Sequence, residues 1–123
     1  MMNINPLLSV PDGLQQAPAD PQLTAAGIGA SLRQLDLSGV DGKAELMHQL
    51  TRDLTLPAHF GRNWDALYDL LADPQSMNAT VVCLKGWADF QARHSELAAM
   101  LESVLLGAQT ALAAANIPLW ILV

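Results

Sequence analysis

Three aspartates recur every four residues in the stretch "HFGRNWDALYDLLAD", residues 59–73: Asp65, Asp69 and Asp73. A helix here would stack them on one face, each about 6 Å above the last. Like charges at this spacing oppose each other by a few tenths of a kcal/mol per pair, so helix stability alone does not account for the row. Such carboxylates could serve acid–base catalysis, bind a metal or recognise a cationic partner.

The residues around the aspartates predict the helix that positions them. Asn63 is a good N-cap, and the helix should run from about Trp64 to Ala72. At 100° per residue the aspartates fall nearly opposite an apolar side, and Tyr68 lies at the margin between the two. The apolar side consists of Trp64, Leu67, Leu70 and Leu71. We therefore expect this side to dock on the domain and the aspartates to face outward.

The residues alone allow four interpretations of this outward face. Two of them are a simple solvated surface and a surface that binds a protein whose Arg and Lys side chains pair with the acids. Acid–base or glycosidase chemistry is disfavoured because it needs a desolvated carboxyl in a cleft. Metal binding by Asp65, Asp69 and His59 is disfavoured because these residues form no recognised ligand motif.

Composition narrows the class of protein. The chain has 123 residues, 51% of them apolar, which predicts a single well-packed domain. The formal net charge is −6, and the six Lys and Arg residues are scattered. Because phosphate attracts clustered basic surfaces, this balance argues against direct nucleic-acid binding and favours a basic protein partner.

The cysteine content and the N-terminal sequence predict the cellular location of the protein. Cys83 is the only cysteine, so we expect no disulfide and interpret Cys83 as a small buried hydrophobe. No Lys or Arg precedes Arg33, and we see no segment of transmembrane length. We expect a cytoplasmic protein without a signal peptide or a membrane association.

The chain divides into a proline-rich extension, residues 1–26, and a domain, residues 27–123. The extension contains Pro6, Pro11, Pro18 and Pro21. Its composition resists helices and sheet ladders, so it should be either a tail or a strap over the core.

The domain alternates strand and helix patterns. Strands are predicted in "SLRQLDL" (31–37), "ATVVCLKGW" (79–87) and "IPLWILV" (117–123), with the second covered on both faces. Helices are predicted in "DGKAELMHQLTRDL" (41–54), in the aspartate segment and from Leu97 to about Asn116. Alternation implies parallel pairing, so the predicted fold class is α/β, a small three-stranded parallel sheet packed with about four helices. Trp87 and Trp120 are interpreted as core residues in or at the end of strands, and His94 as a helix residue.

The segment "LPAHFGRNWDALYDLLAD", residues 56–73, resembles the central segment of the barstar family, intracellular inhibitors of barnase-type ribonucleases. The family pattern is L-P-x-x-aromatic-G-x-N-x-D-A-L-x-D. Nine residues fit it: Leu56, Pro57, Phe60, Gly61, Asn63, Asp65, Ala66, Leu67 and Asp69. The resemblance covers about residues 31–123 and leaves the extension outside.

The resemblance implies a fold and a function. The family fold is a three-stranded parallel sheet with helices, and its members block the ribonuclease active site with the acidic helix and the loop before it. Asp69 would enter the phosphate-binding pocket, and Asp65 would pair with neighbouring basic groups. The partner-binding residues expected from 59–73 are His59, Asn63, Trp64, Asp65, Tyr68, Asp69 and Asp73. A monomeric, non-enzymatic inhibitor is implied, with no catalytic residue, metal or cofactor, whose partner is a barnase-type ribonuclease or a related basic toxin.

The sequence departs from the family at several positions. His59 stands where Tyr is common, Arg62 places a cation beside the acidic face, and Thr110 replaces an acid of a second helix. The "ADP" at 72–74 lacks the family's Gly and aromatic residue. Two other functions remain open: a barstar-fold adaptor for a non-nuclease basic protein, and a small hydrolase using Asp65 and Asp69.

Overall fold

The chain folds into a parallel sheet with helices packed on it. The structure is a computed structural model and describes residues 11–17, 29–57 and 60–123. In chain order the elements are β1 (Leu14–Gln15), β2 (Ser31–Asp36), α1 (Lys43–Asp53), α2 (Trp64–Leu71), β3 (Thr80–Lys85), α3 (Trp87–Arg93), α4 (Ser95–Ala114) and β4 (Leu119–Leu122).

Within the described residues the sheet has four parallel strands, in the order β1-β4-β3-β2. The α/β class, the parallel pairing and the strands β2, β3 and β4 confirm the prediction, but the expected count of three strands is one too low. The additional strand, β1, lies in the proline-rich extension and pairs Leu14 with Ile121. A two-residue strand at a sheet edge leaves room for nearby prolines and is too short to show alternation. The predicted boundary between residues 26 and 27 lies outside the described residues.

Apolar side chains cover both faces of the sheet. Leu35, Val82 and Ile121 contribute to the main core. On the other face Val81, Trp120 and Leu122 form a second cluster, with Leu32 and Cys83 packed against it. Successive side chains of a strand point to opposite faces, so β3 supplies both clusters, as its apolar run predicted. Cys83 is half-buried, and this burial raises the pKa of its thiol.

Helix α4 is the longest element of the described chain and the centre of the main core. Its inward residues Leu101, Leu105 and Leu112 are fully buried. By length and composition α4 could cross a membrane, so the statement that no segment reaches transmembrane length is wrong. The burial of these leucines against the sheet and the other helices gives the apolar character of α4 a structural explanation within the domain.

The connection from β3 to α4 differs from the prediction. Trp87 is buried as expected, but it begins α3 rather than ending a strand. Gly86 makes this possible because its φ of 76° turns the chain in a conformation that side-chain-bearing residues rarely adopt. His94 lies between α3 and α4 rather than within a helix, and its Nε2 lies 3.1 Å from Oδ1 of Asp41.

Gln109 of α4 attaches β1 to the sheet. Its buried amide oxygen accepts a hydrogen bond from the N–H of Gly13 (2.8 Å). Its Nε2 donates to the carbonyl oxygens of Leu119 (2.8 Å) and Gly13 (3.4 Å). The N–H of Val123 also donates to the carbonyl of Gln15 at 2.9 Å. One side chain therefore bridges the extension, the core helix and β4.

Replacing Gln109 by Ala is expected to lower the free energy of unfolding by about 1–3 kcal/mol, because buried backbone groups lose their partners. The same change should speed amide hydrogen exchange at Gly13 and Val123, since β1 loses its side-chain anchor. Denaturant titration and hydrogen exchange measure the two effects.

The matched control is Thr110→Ala, one residue further along α4. Thr110 is exposed and its hydroxyl donates only within the helix, to the carbonyl of Leu106 at 3.1 Å. The control should change stability by less than about 0.5 kcal/mol. Equal stability and exchange in Gln109→Ala and the wild type would contradict the anchoring role.

Candidate functional site

Helix α2 begins where the sequence predicts. Asn63 has an extended backbone, and its Oδ1 accepts a hydrogen bond from the N–H of Ala66 at 2.8 Å. Its Nδ2 donates to the carbonyl of Gly61 at 3.3 Å, which ties the preceding loop to the helix. The side chain of Asn63 thus caps the helix and holds the preceding loop, so Asn63 helps to position the site.

The apolar side of α2 is anchored in the main core. Leu67 and Leu71 are buried, while Trp64 and Leu70 are partly buried and pack against the same cluster. This confirms the predicted docking side. Burial of a leucine contributes about 1.5–3 kcal/mol, so the orientation of this short helix is firmly set.

The two aspartates within the helix face solvent. Asp65 and Asp69 are both exposed. Neither forms an ion pair or a hydrogen bond with the residues that the structure describes. The ion pairs among those residues involve Arg93 and His94, which pair with Asp41 or Asp89. One helical turn separates the two carboxylates on a preformed surface, and that surface carries unneutralised negative charge.

Asp73 does not belong to this helical row, so the expected stack of three aspartates is wrong. Helix α2 ends at Leu71, and Asp73 follows the C-cap residue Ala72. The carboxylate of Asp73 accepts hydrogen bonds from the N–H of Gln75 and the hydroxyl of Ser76, both at 2.9 Å. The following residue, Pro74, disfavours helical backbone at Asp73, and this local signal in the sequence could have revealed the helix end.

Tyr68 lies at the edge of α2, next to α4. Tyr68 is 39% exposed, and its ring lies beside Gly107: a Cβ built on Gly107 would lie 3.1 Å from Cε1 of the ring. The predicted marginal position of Tyr68 is confirmed. Gly107 did not emerge from the sequence because the contact joins residues on two different helices.

The loop before α2 is partly described. Phe60 is buried and its N–H donates to the carbonyl of Pro57 at 3.0 Å, so the loop is fixed to the core. Arg62 is exposed and has a φ of 53°, in the left-handed region. His59, a predicted partner-binding residue, lies outside the described residues.

A cavity of the described chain lies away from Asp65 and Asp69. This cavity of about 170 Å³ lies between the sheet and the inner side of α2, and its lining includes Arg33, Thr55 and Leu70. Neither Asp65 nor Asp69 is among its described lining residues. Within residues 11–17, 29–57 and 60–123, no three His, Cys, Asp or Glu side chains are grouped to hold a metal ion. The acidic surface itself is convex and water-exposed, which suits contact with a macromolecule.

Comparison with known proteins bears on the whole domain. A family model for Barstar, described as "Barstar (barnase inhibitor)", matches residues 30–123. No curated protein matches the chain. The matched range contains β2, β3, β4 and the helices α1 to α4, together with the acidic surface of α2. Because the match covers most of the sequence, the chain belongs to the barstar (barnase inhibitor) family.

Proposed function

We propose that the chain binds and blocks the active site of a barnase-type ribonuclease through residues 59–73. The observation that carries this proposal is the pair of exposed carboxylates, Asp65 and Asp69, on a helix whose opposite side is buried. Membership of the barstar family supports the class of partner. A related basic toxin would present the same complementary charge.

The physical basis is substitution of carboxylates for phosphates. A ribonuclease active site must bind phosphate anions, so it concentrates cationic groups that a carboxylate can also engage. Helix α2 is already ordered by the Asn63 cap and by its buried leucines. Binding therefore spends little free energy on ordering this part of the inhibitor.

The proposed roles follow the position of each side chain. Asp69 enters the phosphate-binding pocket and Asp65 pairs with neighbouring basic groups. Tyr68 offers the most exposed aromatic surface of α2, whereas Trp64 offers only the part that the core leaves uncovered. Asp73 can contribute only through carboxylate lone pairs that Gln75 and Ser76 do not use.

The proposed function is that of an inhibitor rather than an enzyme, and it needs no catalytic residue, metal or cofactor. Acid–base or glycosidase chemistry needs a carboxyl desolvated in a cleft, with a substrate pocket around it. Asp65 and Asp69 are instead exposed on a convex helix face. A cytoplasmic location, a monomeric free state and the role of His59 stay predictions.

Replacing Asp69 by Ala is expected to weaken binding to a barnase-type ribonuclease by about 2–5 kcal/mol, because the partner's buried cations lose their counter-charge. Asp65→Ala should also weaken binding, by a smaller amount. Calorimetric titration at low and moderate salt measures the affinities, and wild-type affinity should fall as salt rises.

The control for lost charge is Glu96→Ala, which changes the net charge equally. Glu96 is exposed in the first turn of α4, about 16 Å along the helix from Gly107, where α4 meets Tyr68. Circular dichroism should show all three variants folded. Wild-type affinity in Asp69→Ala, or no binding by the folded wild type, would contradict the proposal.

Arg62 is expected to oppose association with a basic ribonuclease. Two unit charges about 10 Å apart in water repel each other by about 0.4 kcal/mol. Removing the charge of Arg62 in Arg62→Gln should therefore roughly double the association rate constant at low salt. The gain should disappear at high salt, where such charges are screened. Stopped-flow mixing measures the rate, and the dissociation rate should change less.

Arg52→Gln is the matched control for Arg62→Gln because Arg52 is also exposed but lies in the last turn of α1. A similar rate increase in both variants would show an effect of net charge rather than of position. An unchanged rate in Arg62→Gln would remove the proposed influence of Arg62 on steering.

A second candidate is a barstar-fold adaptor that binds a non-nuclease basic protein. The absence of a carboxylate at Thr110 favours it, since the hydroxyl of Thr110 bonds to its own helix and adds no charge to the surface. Affinity capture from the source cell distinguishes the candidates. A stoichiometric, Asp69-dependent non-nuclease partner, with no nuclease recovered, would favour the adaptor.

A further inference from the structure

Gly107 stands in the middle of a helix that otherwise uses alanine freely. Helix α4 runs from Ser95 to Ala114. Alanine occupies its neighbouring positions 108, 111, 113 and 114. Glycine is among the weakest helix formers and alanine is the strongest, so helix formation gives no reason for glycine here. The backbone gives none either, since Gly107 is helical and is not among the residues with positive φ.

The Tyr68 ring supplies a reason. A Cβ at position 107 would lie 3.1 Å from Cε1 and 3.6 Å from Cδ1 of Tyr68. Carbon atoms in contact normally lie about 3.5–4.0 Å apart, so even a methyl group would push against the ring. Because Tyr68 is 39% exposed, the ring can yield outward, towards the solvent-facing side of α2.

We propose that Gly107 is a positioning residue that fixes the Tyr68 ring on the inhibitory surface. This inference rests on the proposed ribonuclease-binding function of α2. With no side chain at Gly107, the ring lies against the backbone of α4 and is placed before the partner arrives. A preplaced aromatic side chain loses little rotamer freedom on binding, which is why aromatic residues make effective contact points in interfaces.

The proposal predicts that Gly107→Ala weakens binding without weakening folding. Affinity for a barnase-type ribonuclease should fall roughly tenfold, the scale of a displaced aromatic contact residue. Stability towards denaturant should not fall, because alanine improves the helix and the exposed ring can move. Calorimetry measures the first quantity and denaturant titration the second.

A double-mutant cycle tests whether Gly107 acts through Tyr68. Gly107→Ala should have no further effect on affinity in a Tyr68→Ala background, because no ring remains to be displaced. Gly39→Ala is the matched control, since a Cβ at Gly39 has no atom within 4 Å and Gly39 lies in the β2–α1 loop. This control should retain wild-type affinity.

Tyr68 also reports its own position because it is the only tyrosine in the chain. NMR of protein labelled selectively at tyrosine should show shifted ring resonances in Gly107→Ala and unchanged ones in Gly39→Ala. Unchanged ring resonances in Gly107→Ala would overturn the proposal. An equal loss of affinity with and without the tyrosine ring would also overturn it.

The affinity and the tyrosine spectrum together separate this proposal from the proposed ribonuclease-binding function on which it rests. If the folded wild type binds no ribonuclease, the proposed function fails, and the tyrosine spectrum still decides whether Gly107 places the ring. If the wild type binds and Gly107→Ala keeps full affinity with a shifted ring, the proposed ribonuclease binding is not contradicted and the positioning role of Gly107 is overturned.

Discussion

The packing of α2 against the main core is the interaction on which the acidic surface depends. An eight-residue helix has little stability by itself, because nucleation is unfavourable and few hydrogen bonds repay it. Leu67 and Leu71 supply what is missing by burying themselves among the sheet and the other helices. The Asn63 cap then fixes where the helix begins. The positions of Asp65 and Asp69 follow from these contacts rather than from contacts of their own.

The same packing explains how the helix tolerates adjacent like charges. Repulsion between exposed carboxylates one turn apart costs a few tenths of a kcal/mol, whereas each buried leucine contributes about 1.5–3 kcal/mol. The charges therefore have little effect on the free energy of unfolding. The folding of α2 does not constrain which residues occupy its outer side. Asp65 gains additionally from its place in the first turn, where the helix dipole favours an anion.

The elements that the sequence predicts correctly have local determinants. The start of α2 follows from an N-cap residue and a repeating apolar pattern, and β3 follows from a short apolar run. The end of α2 before Asp73 also has a local cause, Pro74. The four-residue spacing of the aspartates nevertheless favoured the wrong prediction that Asp73 continues the helical row. By contrast, β1 has two residues and depends on pairing with β4 and on Gln109, which is distant in sequence. The contact between Tyr68 and Gly107 is equally tertiary, so periodicity could not indicate it.

Two departures from the family pattern, Arg62 and Thr110, lie where the fold does not depend on them, whereas Ala72 of the 72–74 segment packs against the main core. Arg62 and Thr110 are exposed, and Asp73 is occupied by its own turn. None belongs to the main core that holds α2. Substitution at such positions changes charge and shape at the surface while Leu67, Leu71 and the Asn63 cap keep the helix in place. A barstar-family domain can in this way keep its scaffold while its surface adapts to a particular partner.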